Sequence, residues 1–314
     1  MAEIGTDISK AKSILDRGGL VAIPTETVYG LAGNALNEES LIRIFEVKQR
    51  PKFDPLIAHI DSDQKLELLT GHLPETFKRI TDSYWPGPLT ILCHKKPGVP
   101  DLLTSGLPTV AIRMPDHPLS LSLLKTLEYP LAAPSANPFG YISPTTAEHV
   151  NDQLGGNIDY ILDGGPTRVG IESTIIGYDG DIIIHRQGKI TNEDLEQFGV
   201  IHHVTEKSQP VAPGQLKSHY APKKRVILGD LDMLVSQHID QNLGVLSFQK
   251  NYHNVSLNYV LSPSGDLHES ARNLFKYLRL LDQSSVDLIL VERCPSEGIG
   301  IAINDRLTRA SIKD

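Results

Sequence analysis

Short apolar runs alternate with amphipathic stretches along the first two hundred residues. The apolar runs end at Pro, Gly or polar residues and predict buried strands at 20–23, 56–60, 89–93, 109–112, 160–162, 173–176 and 182–185. The stretches between them carry apolar residues at helical spacing and predict helices at 8–16, 38–47, 75–84, 119–126, 146–153 and 192–198. This alternation predicts an α/β fold, a twisted sheet with helices.

Two segments change this picture. Residues 173–185 predict a hairpin, because Gly180 and its polar neighbours separate two apolar runs, so the sheet should be mixed. From 202 the periodicity fails and prolines accumulate, which indicates an extended linker. We therefore expect a first domain at 1–203, a linker at 204–224 and a second domain at 225–314.

The second domain has its own βαβ pattern. Strands are predicted at 225–228, 243–248, 259–261 and 288–292, with an amphipathic helix at 267–281. This pattern predicts a small, doubly wound, Rossmann-like domain. No glycine-rich fingerprint follows its first strand, and Gly298 and Gly300 are interpreted as turn residues.

Length and composition narrow the class of protein. The 314 residues suffice for two domains, and 40% hydrophobic residues can bury an ordinary core. No secretion signal or membrane span is recognised, so a cytoplasmic location is expected. The net charge of −8 argues against a surface that coats nucleic acid, although cations could still converge in a cleft. Cys93 and Cys294 should be reduced core residues.

Residues 24–59 form the first candidate site. Thr27 follows the first strand, Lys48 and Arg50 lie where the next helix ends at Pro51, and His59 lies in the next strand. Cations beside hydroxyl groups on a rigid turn can clamp a phosphate or a carboxylate. The alternative is that the two cations complement the helix dipole, worth about 1 kcal/mol at most.

A second candidate lies in the segment TVAIRMPDHP. Thr109 and Arg113 are four residues apart, so in a strand they share one face and could hold a phosphate between them. The alternative is an Arg113 that packs over the sheet and pairs with Asp116.

Two further segments concentrate polar groups at the ends of elements. A proline-rich loop offers Ser135, Asn137 and Ser143 before a helix whose free N–H groups attract anions. Ser173 starts one strand of the hairpin and Arg186 ends the other, so both could face one cavity. The alternative is an exposed Arg186 at a hairpin tip.

The sequence motifs of several common kinds of active site are absent. The chain shows no nucleophile elbow, no G-x-x-x-x-G-K loop, no H-E-x-x-H and no C-x-x-C. No metal ligands are therefore assigned, and Mg²⁺ is expected to arrive with nucleotide phosphates. The chemistry should depend on holding two substrates in a polar cleft.

With these clusters in hand, the chain resembles the YrdC-domain family of threonylcarbamoyl-AMP synthases, in its two-domain Sua form. The resemblance is carried by ordered motifs over almost the whole chain: PTETVYGL, KQRP, PLIAH, WPGPLT, TVAIRMP, APSAN, SPTTAEHV, IESTI, HRQG, HYAP and GIGIAINDRLTRAS. It implies a YrdC-like sheet around a positive cleft, closed by the linker.

The implied reaction joins L-threonine, bicarbonate or CO2 and ATP into threonylcarbamoyl-AMP and releases pyrophosphate. A downstream tRNA threonylcarbamoyl-transferase complex would use the product beside the anticodon. Matched by motif, the threonine ligands would be Thr27, His59, Arg113 and Ser173. The nucleotide ligands would be Lys48, Arg50, Thr109, Ser135, Asn137, Ser143, Arg186 and Tyr220, with Lys48 and Arg50 also stabilising charge in the reaction. No organic cofactor and no tight direct contact with tRNA are implied.

The chain departs from the family pattern at Asp54, where Asn is usual, and in HRQG and the residues before HYAP. Two alternatives remain at this stage. One is an RNA-binding module that uses the same cleft, which the net charge and 6% aromatic content disfavour. The other is a carbamoyl-transfer domain of the hydrogenase-maturation type, whose additional zinc-finger and acylphosphatase-like segments are not recognised here.

Overall fold

The structure, a computed structural model, describes residues 1–204, 212–214 and 219–312. The expected linker therefore lies partly outside the described residues. Within them, two sheets account for the strands, one on each side of that linker. None of the described helices is long and apolar enough to span a bilayer.

The first sheet is large and mixed. Its order is β1-β8-β2-β3-β7-β4-β6-β5-β9-β10-β11, with both parallel and antiparallel neighbours. The strands are β1 Glu3–Gly5, β2 Val21–Ile23, β3 Gly30–Asn34, β4 Ile57–His59, β5 Leu89–His94, β6 Thr109–Arg113, β7 Leu131–Ala132, β8 Tyr160–Leu162, β9 Thr174–Asp179, β10 Asp181–Arg186 and β11 Ile201–His203.

Eight helices accompany this sheet in the described part of the chain: α1 Ile8–Asp16, α2 Glu38–Lys48, α3 Asp63–Leu69, α4 Glu75–Tyr84, α5 Asp101–Thr104, α6 Pro118–Lys125, α7 Ala147–Leu154 and α8 Asn192–Glu196. Helix α2 begins where the side chain of Asn37 accepts from the Ser40 N–H, and it ends at Gln49 in the left-handed region. Pro51 follows, so the chain turns sharply toward β4. This stop places Lys48 and Arg50 beside the sheet.

The second sheet is parallel, with the order β12-β15-β13-β14. Its elements are β12 Arg225–Leu228, α9 Leu231–Gln237, β13 Leu243–Ser247, β14 Leu257–Val260, α10 Leu267–Gln283, β15 Leu288–Val291 and α11 Ile299–Ser311. The interpretation of Gly298 and Gly300 as turn residues is wrong for Gly300, which lies in α11, while Gly298 is its N-cap. A strand, a turn and a helix therefore do end this domain.

The mixed α/β architecture and the hairpin of β9 and β10 are confirmed. The sequence pattern missed β3, whose Gly30 and Gly33 are poor strand formers. Both glycines allow close approach, because a Cβ on Gly30 would lie 3.1 Å from the Ala133 Cβ, and one on Gly33 would lie 3.0 Å from Leu20 Cδ2. Tight packing thus explains residues that argue against a strand when only the sequence is read.

The two halves share a hydrophobic core and polar contacts. Apolar residues near the first sheet, including Ile142 and Ile171, cluster with residues of α10, α11 and the second sheet. The Tyr141 hydroxyl donates to Asp282 at 2.5 Å, and Arg279 Nη2 donates to the Ile142 carbonyl at 2.9 Å. Helices of the second half are therefore packed directly against the loop that precedes α7.

Candidate active site

Most of the polar residues selected from the sequence meet at one small cavity of about 50 Å³. It lies where the loop after β2, the ends of β4 and β6, the loop after β7 and the end of β10 come together. Tyr220 and His219 close it from the chain that leads to the second sheet. Its polar lining among the described residues comprises Thr25, Thr27, Arg50, His59, Arg113, Ser135, Glu172, Arg186, His219 and Tyr220.

The loop after β2 is built around Thr25. Its Oγ1 accepts from the N–H groups of Thr27 and Val28, at 3.1 and 3.2 Å, and donates to the Val28 carbonyl at 2.6 Å. The Thr27 hydroxyl lies 2.8 Å from the Thr25 hydroxyl. Both side chains are buried, so the loop presents a fixed hydroxyl pair to the cavity.

Glu26 and Arg113 form a buried ion pair at the wall of the cavity. Arg113 Nη2 donates to Glu26 Oε1 at 2.6 Å, and Glu26 Oε2 accepts from the Asp116 N–H at 3.0 Å. The expected alternative, Arg113 paired with the Asp116 carboxylate, is wrong, because that carboxylate contacts Arg168. Arg113 Nε has no hydrogen-bond partner among the described residues, although it is buried. A carboxylate ligand would satisfy this donor.

His59 lies beside Arg113, since β4 and β6 are parallel and pair these two residues. Its Nδ1 lies 3.2 Å from the Ile57 carbonyl, which can only accept, so Nδ1 carries the proton and Nε2 is an acceptor. Burial, together with the charge of Arg113, lowers the pKa of His59 to about 3. The imidazole is therefore neutral near pH 7 and can accept a hydrogen bond from a ligand.

Arg186 is fixed at the end of β10. Its Nε donates to the Ser173 carbonyl and its Nη2 to the Ser173 hydroxyl, both at 3.0 Å. The Ser173 hydroxyl also lies 2.8 Å from that of Thr90. Arg186 is 8% exposed, so the alternative of an exposed side chain at a hairpin tip is wrong. Burial lowers its pKa to about 10, which still leaves it cationic near neutral pH.

Lys48 and Arg50 are two residues apart but have different surroundings. Arg50 lines the cavity, donates to the carbonyls of Asp54 and Pro55, and lies 2.8 Å from the Asp54 carboxylate. Lys48 does not line the cavity; its ammonium donates to the Ser135 and Asn137 carbonyls at 2.5 Å each. Lys48 thus braces the loop after β7, a contact more specific than complementing a helix dipole.

Some residues of the loop after β7 stabilise the loop itself, and others line the cavity. The Asn137 side chain donates to the carbonyls of Pro138 and Tyr141, at 2.8 Å each, and so stabilises the loop. Ser135 lines the cavity, whereas Ser143 lies behind it and donates to Glu172 at 2.5 Å. The structure therefore brings Ser135 to the cavity directly and Ser143 only through Glu172.

Thr109 is not brought to this cavity. It lies at the start of β6, four residues before Arg113, and lines a second cavity of about 410 Å³. The two residues nevertheless share a sheet face, as expected from strand geometry. Ala111 lies between them on that face and packs with residues that line each cavity, Ile57 of the first and Leu92 of the second.

Tyr220 is buried, contacts Phe275 of α10 and adopts a left-handed backbone angle, φ 62°. Residues 205–211 and 215–218 of the expected linker lie outside the described residues, whereas Pro213 and Gly214 line the cavity. Burial raises the pKa of Tyr220 to about 12, so its hydroxyl remains protonated.

The sequence reasoning missed two carboxylates. Glu26 orients Arg113, and Glu172 lines the cavity with both oxygens engaged, by Ser143 and by Arg306 of α11. Both lie inside motifs that carried the family resemblance, PTETVYGL and IESTI, next to residues that were selected. Their position beside those residues was the available signal. Within the described residues no group of three or more His, Cys, Asp or Glu could hold a metal.

Comparisons with known proteins assign nearly the whole chain to one family. A family model described as "Telomere recombination", which covers Sua5, YciO and YrdC proteins, matches residues 13–188. A model described as "Threonylcarbamoyl-AMP synthase, C-terminal domain" matches residues 190–311. The threonylcarbamoyl-AMP synthase of Bacillus subtilis is 41% identical, covering 97% of this chain and 92% of the relative, and that of Pyrococcus abyssi is 40% identical, covering 96% and 93%.

Solved structures give the same result. The crystal structure of P. abyssi Sua5 complexed with L-threonine matches with a TM-score of 0.92 and 38% identity, covering 99% of this chain and 97% of that one. HypF of T. kodakarensis matches 59% of the chain with a TM-score of 0.50 and 22% identity, which shows a shared fold alone.

Fold and site together define a two-domain α/β protein with a buried pocket lined by arginines, hydroxyl groups and a neutral histidine. Such a pocket suits anionic, amino-acid-like ligands. The chain belongs to the Sua5–YrdC family of threonylcarbamoyl-AMP synthases.

Proposed function

We propose that this chain makes L-threonylcarbamoyl-AMP from L-threonine, bicarbonate or CO2 and ATP, releasing pyrophosphate. The observation that carries the proposal is the meeting of Arg113, His59 and Thr27 at one cavity. Arg113 Nε is a buried donor without a partner among the described residues, and the threonine carboxylate would satisfy it. His59 Nε2 would accept from the threonine amine or hydroxyl, and the Thr27 hydroxyl would add a further polar contact.

The nucleotide would occupy the same face of the sheet. A cavity of about 50 Å³ is too small for ATP and threonine together, whereas the cavity beside Thr109 measures about 410 Å³. We place the phosphates near Arg50 and Arg186, and the rest of the nucleotide toward Thr109. Tyr220 would cover the ligands, and Ser135 would contact the phosphates. Ser173 and Ser143 would act through Arg186 and Glu172.

Reaction then requires orientation and charge stabilisation. The neutral threonine amine bonds to the carbon of CO2 and releases a proton to water, which gives a carbamate. A carbamate oxygen bonds to the α-phosphorus of ATP while the bond to the β-phosphate oxygen breaks, and pyrophosphate leaves with the electron pair. Arg50 and Arg186 would stabilise the negative charge that develops, because both are buried near the proposed phosphates.

Mg²⁺ would enter bound to the phosphates of ATP and would help to neutralise them. The carboxylates near the cavity are already paired, Glu26 with Arg113 and Glu172 with Arg306, which fits a metal brought by the nucleotide better than one held by the protein. We further propose a cytoplasmic location and delivery of the product to a tRNA threonylcarbamoyl-transferase complex. Neither alternative function is favoured by the comparisons, and the hydrogenase-maturation resemblance is one of fold.

The test is pyrophosphate release by the purified chain with ATP, Mg²⁺, bicarbonate and each amino acid in turn. We expect release that depends on threonine and labelled bicarbonate that appears in an AMP conjugate. Arg113→Met should raise the KM for threonine at least tenfold, since a charged hydrogen bond is worth about 1.5–3 kcal/mol. Arg168→Met removes an exposed arginine that pairs with Asp116 and is the matched control. Absence of threonine-dependent pyrophosphate from the wild-type chain would refute the proposal.

A further inference from the structure

Arg306 of α11 contacts two walls of the cavity without lining it. It is fully buried, and its Nε lies 3.2 Å from Glu172 Oε2. Its guanidinium carbon lies 5.5 Å from the centre of the Tyr220 ring, within range of a cation–π contact. Because α11 packs with the second sheet, Arg306 connects the C-terminal domain to the catalytic cavity.

Glu172 is the cavity residue whose carboxylate Arg306 contacts. Its second oxygen accepts from Ser143 at 2.5 Å, so both oxygens are engaged. The next residue, Ser173, accepts from Arg186 through its carbonyl and its hydroxyl. Glu172 and Arg186 both line the cavity. Burial is the main cause that lowers the pKa of Arg186, the charge of Glu172 raises this pKa, and the charge of Arg306 lowers it.

The arginines of the cavity differ in how their charge is balanced. Arg50 has the Asp54 carboxylate at 2.8 Å, and Arg113 has the Glu26 carboxylate at 2.6 Å. For Arg186 no carboxylate lies within ion-pair distance in the part of the chain that the structure describes. Among the described residues, Arg186 thus differs from Arg50 and Arg113 in having no ion-paired carboxylate, which favours contact between its positive charge and an anionic ligand.

We propose that Arg306 is a positioning residue that holds the Glu172 carboxylate and so keeps Arg186 available for the triphosphate of ATP. This inference rests on the proposed function, which makes ATP the anion. Without Arg306, a buried carboxylate would lose its cation and would reorient toward the nearby guanidinium of Arg186. An ion pair between Glu172 and Arg186 would then compete with the phosphates of ATP.

The first experiment compares steady-state kinetics of full-length wild type and Arg306→Met. We expect the KM for ATP to rise about tenfold, which corresponds to ~1.4 kcal/mol, while the KM for threonine changes much less. In the double variant Arg306→Met/Glu172→Gln the KM for ATP should return toward the wild-type value, because a neutral amide cannot neutralise Arg186. Arg279→Met is the matched control: it removes another buried arginine of the C-terminal domain, which donates to the backbone carbonyls of Ile142 and Ser143 and not to Glu172.

The control should lower the melting temperature and leave the KM for ATP unchanged. Equal increases in both KM values for Arg306→Met, with no recovery in the double variant, would show a merely structural role and overturn the inference. Glu172→Gln alone keeps the test valid even if Arg306→Met does not fold. It should lower the KM for ATP, and an increase would also overturn the inference. A wild-type chain without threonine-dependent pyrophosphate would instead refute the proposed function, so the two failures are distinguishable.

Discussion

Replacing Lys48 by Met tests whether this lysine supports the structure or contacts the nucleotide. In the structure its ammonium is buried and donates to two carbonyls of the loop after β7, those of Ser135 and Asn137. Met has a similar length and no donor, so the change removes both hydrogen bonds and the charge. We expect the loop to lose its support and the cavity wall formed by Ser135 to loosen.

The magnitude follows from two opposing effects. Two hydrogen bonds from a charged donor contribute roughly 3–6 kcal/mol, and the carbonyls would be left without this donor. Against this, a buried ammonium carries a desolvation cost, which is also why burial, followed by the charge of Arg50, lowers the pKa of Lys48 well below its ordinary value. We expect a net loss of about 2–4 kcal/mol, which lowers the melting temperature by about 3–6 °C in a chain of 314 residues.

The assay is thermal unfolding followed by circular dichroism, together with ATP titration of the folded variant. Lys52→Met is the matched control, because Lys52 is exposed in the segment that follows Arg50, and it should melt like the wild type. A Lys48→Met variant that melts within about 2 °C of the wild type while its affinity for ATP falls at least tenfold would refute the reasoning. Lys48 would then act at the phosphates, as the family resemblance implied.

Two further predictions concern stability. Because burial and Arg113 lower the pKa of His59 from 6.5 to about 3, the unfolded chain gains a proton that the folded chain does not, and the wild type loses stability as the pH falls through this range. His59→Gln should reduce that loss of stability by up to about 1.4 kcal/mol per pH unit. The free energy of unfolding would be measured with urea at pH 5 and pH 7, and the same change between the two pH values in variant and wild type would contradict the prediction. Gly188→Ala should cost about 1–3 kcal/mol in the same assay, because its Cβ would lie 2.3 Å from the Thr174 backbone nitrogen. A variant as stable as the wild type would contradict this prediction.

Much of the first domain was predictable because its strands are buried and its helices are amphipathic. Helices α1 and α4 and strand β8 have the bounds that the periodicity indicates. Strand β3 and helix α11 were missed where glycine dominates the local signal. Glycine there reflects close packing in β3 and a helix start in α11, and both depend on neighbours that are distant in sequence.

Residue types at the site were predictable, but their orientation was not. The motifs identified Thr27, His59, Arg113 and Arg186, all of which line the cavity. They could not show that Lys48 binds the loop after β7 and does not itself line the cavity. Near the end of a helix, the direction of each side chain depends on tertiary packing. Such directions are set by contacts with the loop after β7, about 90 residues further along the chain.

The carboxylates show a more general limit. Three carboxylates each form an ion pair with an arginine: Glu26, Glu172 and Asp54. A motif rich in arginine and lysine therefore does not reveal how much of its positive charge is left unpaired to bind an anion. That quantity depends on pairing across the fold, and for Glu172 on an arginine 134 residues away. An anion site is therefore specified as much by where its acids are held as by where its arginines lie, which makes the C-terminal domain part of the electrostatics of the cavity.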